Sequence, residues 1–459
     1  MLPIEQSCYW LATRPSVPVV ALESHVETDV AIIGGGLTGL WTALSIKELS
    51  PATDVIVLEK NSVAYGASGR NAGMLSETID HNHALAIEHF GESGAAQLAR
   101  LGQDNVDQMI AFLARHAIEC DYQPTGRLMV ALTDRQLAEC RNTVATARKL
   151  GVTTHAMLTS EEMRGELDSP LYLGGASVAG GGILNPVKLV EGLKRVALTN
   201  GIRVNERTGV DRIEMGRNAS ATIHAGAYRV NARRVVLATN AYSHHLEPRL
   251  LHRFIPLYDY ILVSEPLTPA QHQSIGWQHR QGVTDGRTFF NYYRLTSDNR
   301  ILWGTSEATY YRNNSVGAQN DHSAIHYQSL RESFRRHFPA LRDLEFPFAW
   351  GGPIAATTRM TPFFGSFLNG RLLYGLGYTG HGLGSTHLAG KILARLSLER
   401  PDELTRLPLV QKHPLPYPPE PLRHLAVKMV TRDLRKVDAG ADPSALLRLL
   451  RALGIGFSS

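Results

Sequence analysis

The residues that could do chemistry stand in three short stretches and a few single side chains. In the first, Gly34, Gly36 and Gly39 follow the β-branched run 30–33 and open a helix-forming stretch. Gly34 allows a tight turn, Gly36 lets backbone approach a pyrophosphate, and Gly39 lets the helix pack close to the strand. The helix start at Leu37 and Thr38 offers free N–H groups and a positive dipole end to phosphate. A second apolar run, 54–58, ends in Glu59 and Lys60. A carboxylate at that point can accept from ribose hydroxyls and would repel a 2′-phosphate. Strand, glycine turn, helix, strand and acid in this order predict dinucleotide binding, against a glycine-rich turn with no ligand.

The second stretch is Ala67, Ser68, Gly69, Arg70, Asn71, Ala72, Gly73 and Met74. Its small residues let a flat group come close, and Ser68, Arg70 and Asn71 supply donors. In the third, the apolar run 372–378 passes Gly377 and reaches Gly380, His381, Gly382, Leu383 and Gly384, with a helix expected over 387–398. This repeats the logic of strand, glycine loop and helix N-terminus. Of the single side chains, His381 could accept a proton or merely position its loop. Arg359 could hold a carboxylate or phosphonate bidentately, or form a structural ion pair. Alternating stretches at 254–263, 288–295 and 300–304 suggest an antiparallel sheet. They carry Tyr258, Tyr260, Phe289, Phe290, Tyr292, Tyr293 and Trp303, rings that could wall a substrate pocket or fill a core. Tyr260 and Tyr292 are the active-site candidates among them. Arg294 and Arg300 flank a turn at 297–299, where a solvated face or an ion pair with Asp298 competes with substrate contact.

Helices are expected over 37–49, 94–116, 134–150 and 187–200, with a helix start at 159–162. Strands are expected at 126–132, 203–205 and 234–242, with a hairpin-like region from Val210. Residues 1–26 read as an irregular surface arm. After Pro401 a proline-rich run, 415–421, leads to an amphipathic helix carrying Leu422, Leu425, Met429, Leu434 and Val437, and a second follows over 443–453. These would pack on the protein itself or on a second subunit in a homodimer, with a membrane surface as the competing reading.

At 459 residues the chain can form two substantial domains. Its net charge of +5, without a basic stripe interleaved with aromatics, argues against nucleic acid as a partner. Cys8, Cys120 and Cys140 are scattered, so neither a metal site nor a disulfide framework is expected and a reducing compartment is. The start of the chain has no basic-then-apolar signal region, and no apolar stretch is long enough to span a membrane. A cytoplasmic protein is the expectation.

The run Ala-Ser-Gly-Arg-Asn-x-Gly at 67–73, shortly after Glu59, resembles the D-amino-acid-oxidase-type flavoproteins. The likeness is to the branch holding γ-glutamylputrescine oxidase and aminophosphonate oxidoreductases, with sarcosine and glycine oxidases more distant. Residues 377–382 match that family's second flavin loop, Gly-Tyr-x-Gly-His-Gly. The resemblance implies an α/β fold, with a Rossmann-like FAD-binding domain interleaved with an α+β substrate domain on an antiparallel sheet. Residues 1–90, 151–250 and 346–400 would form the first, 91–150 and 251–345 the second, and 401–459 a helical tail.

The resemblance also implies FAD as cofactor, with Val210 and Thr239 on the adenine side. The helix start at 380–384 would face the flavin N1–C2=O edge, where negative charge develops. The implied reaction moves a hydride from the α-carbon of a small amine or amino acid, bearing a distant anionic group, to flavin N5. The imine then hydrolyses to a carbonyl plus ammonia or an amine, and O2 or another acceptor takes the electrons. A dehydrogenase, an NAD-linked enzyme and a non-catalytic flavoprotein subunit are the alternatives. Two departures matter. No cysteine follows Cys140, and Asn71 stands where some members carry a histidine, so the FAD is expected to be non-covalent. No lysine lies between Lys194 and Lys391, so any positive charge for oxygen activation would come from a histidine or an arginine.

Overall fold

In the computed structural model, residues 2–15, 18–79, 82–216 and 220–456 are described. Two eight-stranded sheets organise them. The first runs in the order Phe363–Phe367, Leu372–Leu376, Tyr228–Leu237, Val26–Ile33, Val55–Leu58, Arg203–Asn205. From Leu372–Leu376 to Arg203–Asn205 its neighbours are parallel, as crossovers through helices require. Val26–Ile33 is central, and its last four residues are all buried, which is why that run is uniformly apolar. Two further strands, Arg212–Met215 and Ala221–Ala225, form the hairpin expected after Val210.

The helix Leu37–Leu49 follows the central strand and packs on Gly382–Ser397. A Cβ on Gly390 would stand 2.6 Å from Trp41 backbone, so these helices cross at backbone contact. Thr38 Oγ1 donates to Tyr378 Oη at 2.9 Å across the same junction. The two glycine corners are thereby held side by side, although 340 residues separate Thr38 from Tyr378.

The second sheet runs Phe348–Ala356, Ile255–Pro266, Arg300–Tyr310, Asn291–Leu295, Gly282–Asp285, Arg127–Val130, Gly175–Val178, His155–Leu158. Its pairs are antiparallel apart from Gly282–Asp285 beside Arg127–Val130. This corrects the expected segment boundaries. Gly175–Val178 and His155–Leu158 extend the substrate sheet rather than the dinucleotide layer. So does Phe348–Ala356, which pairs with Ile255–Pro266 over nine registered residues. Its glycines permit this: a Cβ on Gly351 would lie 2.6 Å from the Tyr260 ring.

Other expectations shift for local reasons. The long helix is His83–Arg115, starting eleven residues before position 94 and broken at Gly91, where φ is +73°. Residues 67–70 and 382–384, read as loops, are a helical turn and the first turn of a helix. The N-terminal arm is not an irregular surface segment. It forms two short helices, Ile4–Ser7 and Tyr9–Ala12, with Tyr9, Trp10 and Leu11 buried, and Trp10 Nε1 donates to Asn71 O at 2.9 Å. No helix among the described residues is long and apolar enough to cross a membrane.

Candidate active site

A cavity of about 1080 Å³ lies between the two sheets. Its dinucleotide side is built by backbone. Gly34 has φ +111°, and a Cβ there would stand 2.7 Å from Ala238 O, so only glycine fits the turn. Gly36 reaches the cavity, and a Cβ on it would meet Ser68 Oγ at 2.6 Å. Ser68 Oγ accepts from Leu37 N at 2.9 Å, tying the second stretch to the start of the helix. Neither Gly36 nor His381, the residues preceding the two helices, caps its helix with a side chain. Both positive dipole ends therefore meet the cavity through backbone.

Glu59 also lines the cavity. Its Oε2 accepts from Gly35 N and its Oε1 from Asn61 N, each at 2.8 Å. Burial raises its pKa, and these amides oppose the rise. Asn71 closes its own turn by donating to Ala67 O and Ser68 O and accepting from Gly73 N.

Most of the expected cofactor residues line this one cavity: Gly34, Gly36, Leu37, Thr38, Glu59 and Lys60 from the first corner, and Ala67, Ser68, Arg70, Asn71, Ala72, Gly73 and Met74 from the second stretch. Val210 and Thr239, then Gly380, His381, Gly382, Leu383 and Gly384, complete the set. Gly39, Gly69 and Gly377 do not line it. Their Cβ positions fall 2.0 Å from Gly34 O, 2.1 Å from Ala64 O and 2.5 Å from Thr357 Cγ2, so each serves packing behind the wall. Arg70 is more than a donor in a loop. It is buried, paired with Asp321 at 2.9 Å, and donates to Tyr65 O and Gly351 O, joining the stretch to the second sheet.

The opposite wall is set by side-chain alternation along Ile255–Pro266. Ile255, Leu257, Asp259 and Ile261 face the cavity, while Tyr258 and Tyr260 point into the core behind the sheet. Tyr260 is thus removed from the active-site candidates. Its hydroxyl pairs with Tyr311 Oη and Asn320 O, and its ring stacks on His326. Tyr293 and Trp303 are core residues for the same reason, whereas Phe289, Phe290 and Tyr292 line the cavity.

Arg359 does not line the cavity either. Its donors reach Thr361 Oγ1, Lys412 O and Pro362 O, and its guanidinium lies over Phe90. His381 does line it, and burial pulls its pKa down to about 4, with Arg127 adding to the effect. Burial thus favours the neutral imidazole.

Sequence reading missed three features. Asp259 stands in the wall as a carboxylic acid in an apolar strand, and that break in Ile-Pro-Leu-Tyr-Asp-Tyr-Ile-Leu-Val was the available signal. Arg294, for which a solvated face, an ion pair with Asp298 and substrate contact were the alternatives, is fully buried. It donates to Gly73 O, Leu184 O and Leu295 O, and burial lowers its pKa to about 9. Arg300 does form the expected pair with Asp298, at 2.6 Å. The tail, from Leu422–Asp438 to Ile455, supplies Val427, Val430, Leu434, Leu450 and Ile455 to the cavity, so part of its apolar face is covered by the chain itself.

A parallel-sheet domain with two glycine–helix corners, sharing a cavity with an antiparallel sheet, defines a two-domain flavoprotein class of oxidoreductase. A profile of the DAO family, described as FAD dependent oxidoreductase, matches residues 29–396, and the chain belongs to this family. It is 30% identical over 406 residues to gamma-glutamylputrescine oxidoreductase of Escherichia coli K12, covering 88% of this chain and 92% of that protein. It is equally 30% identical, over 408 residues, to a probable oxidoreductase OrdL of Rhizobium meliloti, covering 88% and 91%. Glycine oxidase from Geobacillus kaustophilus superposes with a TM-score of 0.72 at 20% identity, over 85% of this chain and 100% of that one, which bears on the fold. The protein is therefore an FAD-dependent oxidoreductase. The cavity suits that cofactor, with two glycine-flanked helix starts and the acid Glu59 opening into one space.

Proposed function

We propose that this protein oxidises a small amine or amino acid at the carbon bearing nitrogen, giving an imine that water hydrolyses to a carbonyl and ammonia or a smaller amine. The observation that carries the reading is the single cavity walled by both glycine corners and by the substrate sheet. FAD, held non-covalently, would supply the acceptor for a hydride from that carbon. Gly34, Gly36 and the start of Leu37–Leu49 would hold its pyrophosphate and Glu59 its ribose, with Val210 and Thr239 near the adenine. The 67–74 stretch would lie along the ring system, and the start of Gly382–Ser397 would put its positive end where charge develops. His381, whose burial favours the neutral form, would orient through hydrogen bonds. The apolar wall of Ile255, Leu257, Phe289 and Phe290 would exclude water and fix the substrate body.

The test is anaerobic titration of the purified yellow protein with a panel of amines: γ-glutamylputrescine, N-methyl amino acids and aminophosphonates. Bleaching of the flavin band by one of them is expected, and colour should return with air or with an artificial acceptor. Acid precipitation should release the flavin into the supernatant. A protein whose flavin no amine bleaches would sink the reading.

A further inference from the structure

We propose that Asp259, supported by Tyr292, is the group that receives the substrate amine, with its free Oδ1 accepting a proton from the incoming ammonium. This deepens the amine reading above and rests on it. The side chain lines the cavity, and Tyr292 donates its hydroxyl to Oδ2 at 2.6 Å. Oδ1 is buried without a hydrogen-bond partner. A carboxylate oxygen left this way wants a donor, and an ammonium N–H supplies one with the matching charge.

Local strand geometry makes room for it. Opposite Asp259 on one side lies Gly352, which brings no side chain. On the other side the ladder with Arg300–Tyr310 slips: Tyr258 pairs with Thr309 but Tyr260 pairs with Thr305, so residues 306–308 bulge away. Along the strand Asp259 stands between Ile261, in the core shared with the dinucleotide layer, and Leu257, which packs against the cluster of Ile255, Tyr310 and Ala356. An amine held there would have its body against an apolar surface.

The proton balance is simple. The ammonium gives one proton to Asp259 Oδ1, leaving a neutral amine and a neutral acid, and the amine nitrogen then has a lone pair to assist C–H cleavage. Burial raises the Asp259 pKa to about 7, opposed by the Tyr292 hydroxyl and the Tyr260 amide. Across the cavity Arg70 is paired with Asp321 and Arg127 with Glu77, and in the facing bulge Glu307 is paired with Arg435. Burial thus moves the carboxyl toward the range in which it can take up a proton from an amine.

The experiment is stopped-flow anaerobic flavin reduction by the best amine of the panel, across pH 5.5–9, for wild type, Asp259→Asn and Tyr292→Phe, with flavin content checked for each. For the wild type, kcat/KM should rise with pH through about 7. Asp259→Asn should retain flavin, lose about 100-fold in kcat/KM, and lose the limb. Tyr292→Phe removes a bond that favours the ionised acid, so its limb should move to higher pH. An Asp259→Asn protein with full flavin, wild-type kcat/KM and an unchanged limb would overturn the assignment while leaving amine oxidation standing. A wild type that no amine reduces would overturn both. Should Asp259→Asn fail to fold, an unshifted limb in Tyr292→Phe would overturn the proposal in its place.

Discussion

The two walls of the cavity hold their residues in place by different means. On the dinucleotide side the chemistry belongs to N–H groups and helix ends, and side chains mainly have to be absent. On the substrate-sheet side the wall is a ladder with a bulge at 306–308, and much depends on which of two faces a residue occupies. The first kind of wall leaves a strong trace in sequence, because glycines are demanded wherever a Cβ would strike backbone. The second leaves almost none. A strand alternates with period two, so an error of one residue exchanges core for cavity along its whole length.

The sharpest way to break the comparison is to put a side chain where the first wall requires none. A Cβ on Gly39 would lie 2.0 Å from Gly34 O, and neither atom can move without separating the helix from the central strand. Gly39→Ala is expected to cost about 3 kcal/mol or more and to yield protein that purifies colourless. Thermal melting and flavin content measure both. A yellow, undiminished Gly39→Ala protein would mean that the corner tolerates what its geometry forbids.

Legibility follows the same division. Gly34, Gly36 and Glu59 could be read from their spacing, and the 67–74 and 380–384 stretches from their likeness to a family's motifs. The helix Leu37–Leu49 could be placed to the residue, since a glycine turn begins it and Pro51 follows its end. Tyr260 could not be told from Asp259 without the register that Gly351 and Gly352 set on the neighbouring strand. For Arg359 the sequence leaves an anion clamp and a structural ion pair both open, and its Nη1 in fact donates to tail backbone at Lys412. Strand membership across domains, as for Gly175–Val178, depends on partners far away in sequence and left no local mark.

Arg294 sharpens the contrast, because here a side chain from the substrate sheet holds the backbone wall. Its Nη1 donates to Gly73 O and Leu184 O, at 3.0 and 2.7 Å. Gly73 O also accepts from Leu184 N, but the Leu184 carbonyl would be left buried if the guanidinium were lost. Arg294→Met should therefore destabilise by about 2 kcal/mol and loosen the end of the 67–74 stretch. Equilibrium unfolding would report the first effect and the flavin dissociation constant the second. Weaker stability with unchanged flavin affinity would confine Arg294 to a packing role.

The smallest effect is expected where the tail meets the substrate wall. Asp438, at the end of Leu422–Asp438, accepts from Thr288 N at 2.7 Å and Phe289 N at 2.9 Å, both on cavity-lining residues. Arg435, one turn earlier, pairs at 2.7 Å with Glu307, inside the bulge opposite Asp259. The tail thus fastens the bulge at Glu307 and the neighbouring turn at 288–289. Removing one fastening should leave FAD affinity alone and loosen the substrate side. Asp438→Ala is expected to raise KM about 10-fold, with kcat within a factor of two, equivalent to about 1.4 kcal/mol lost from charge-assisted bonds to two amides. Arg435 is well exposed and its pair is screened by solvent, so Arg435→Ala should do less still. If Asp438→Ala instead released flavin, the two walls would be coupled through the tail, and the division between a backbone wall and a side-chain wall would have to be redrawn around it.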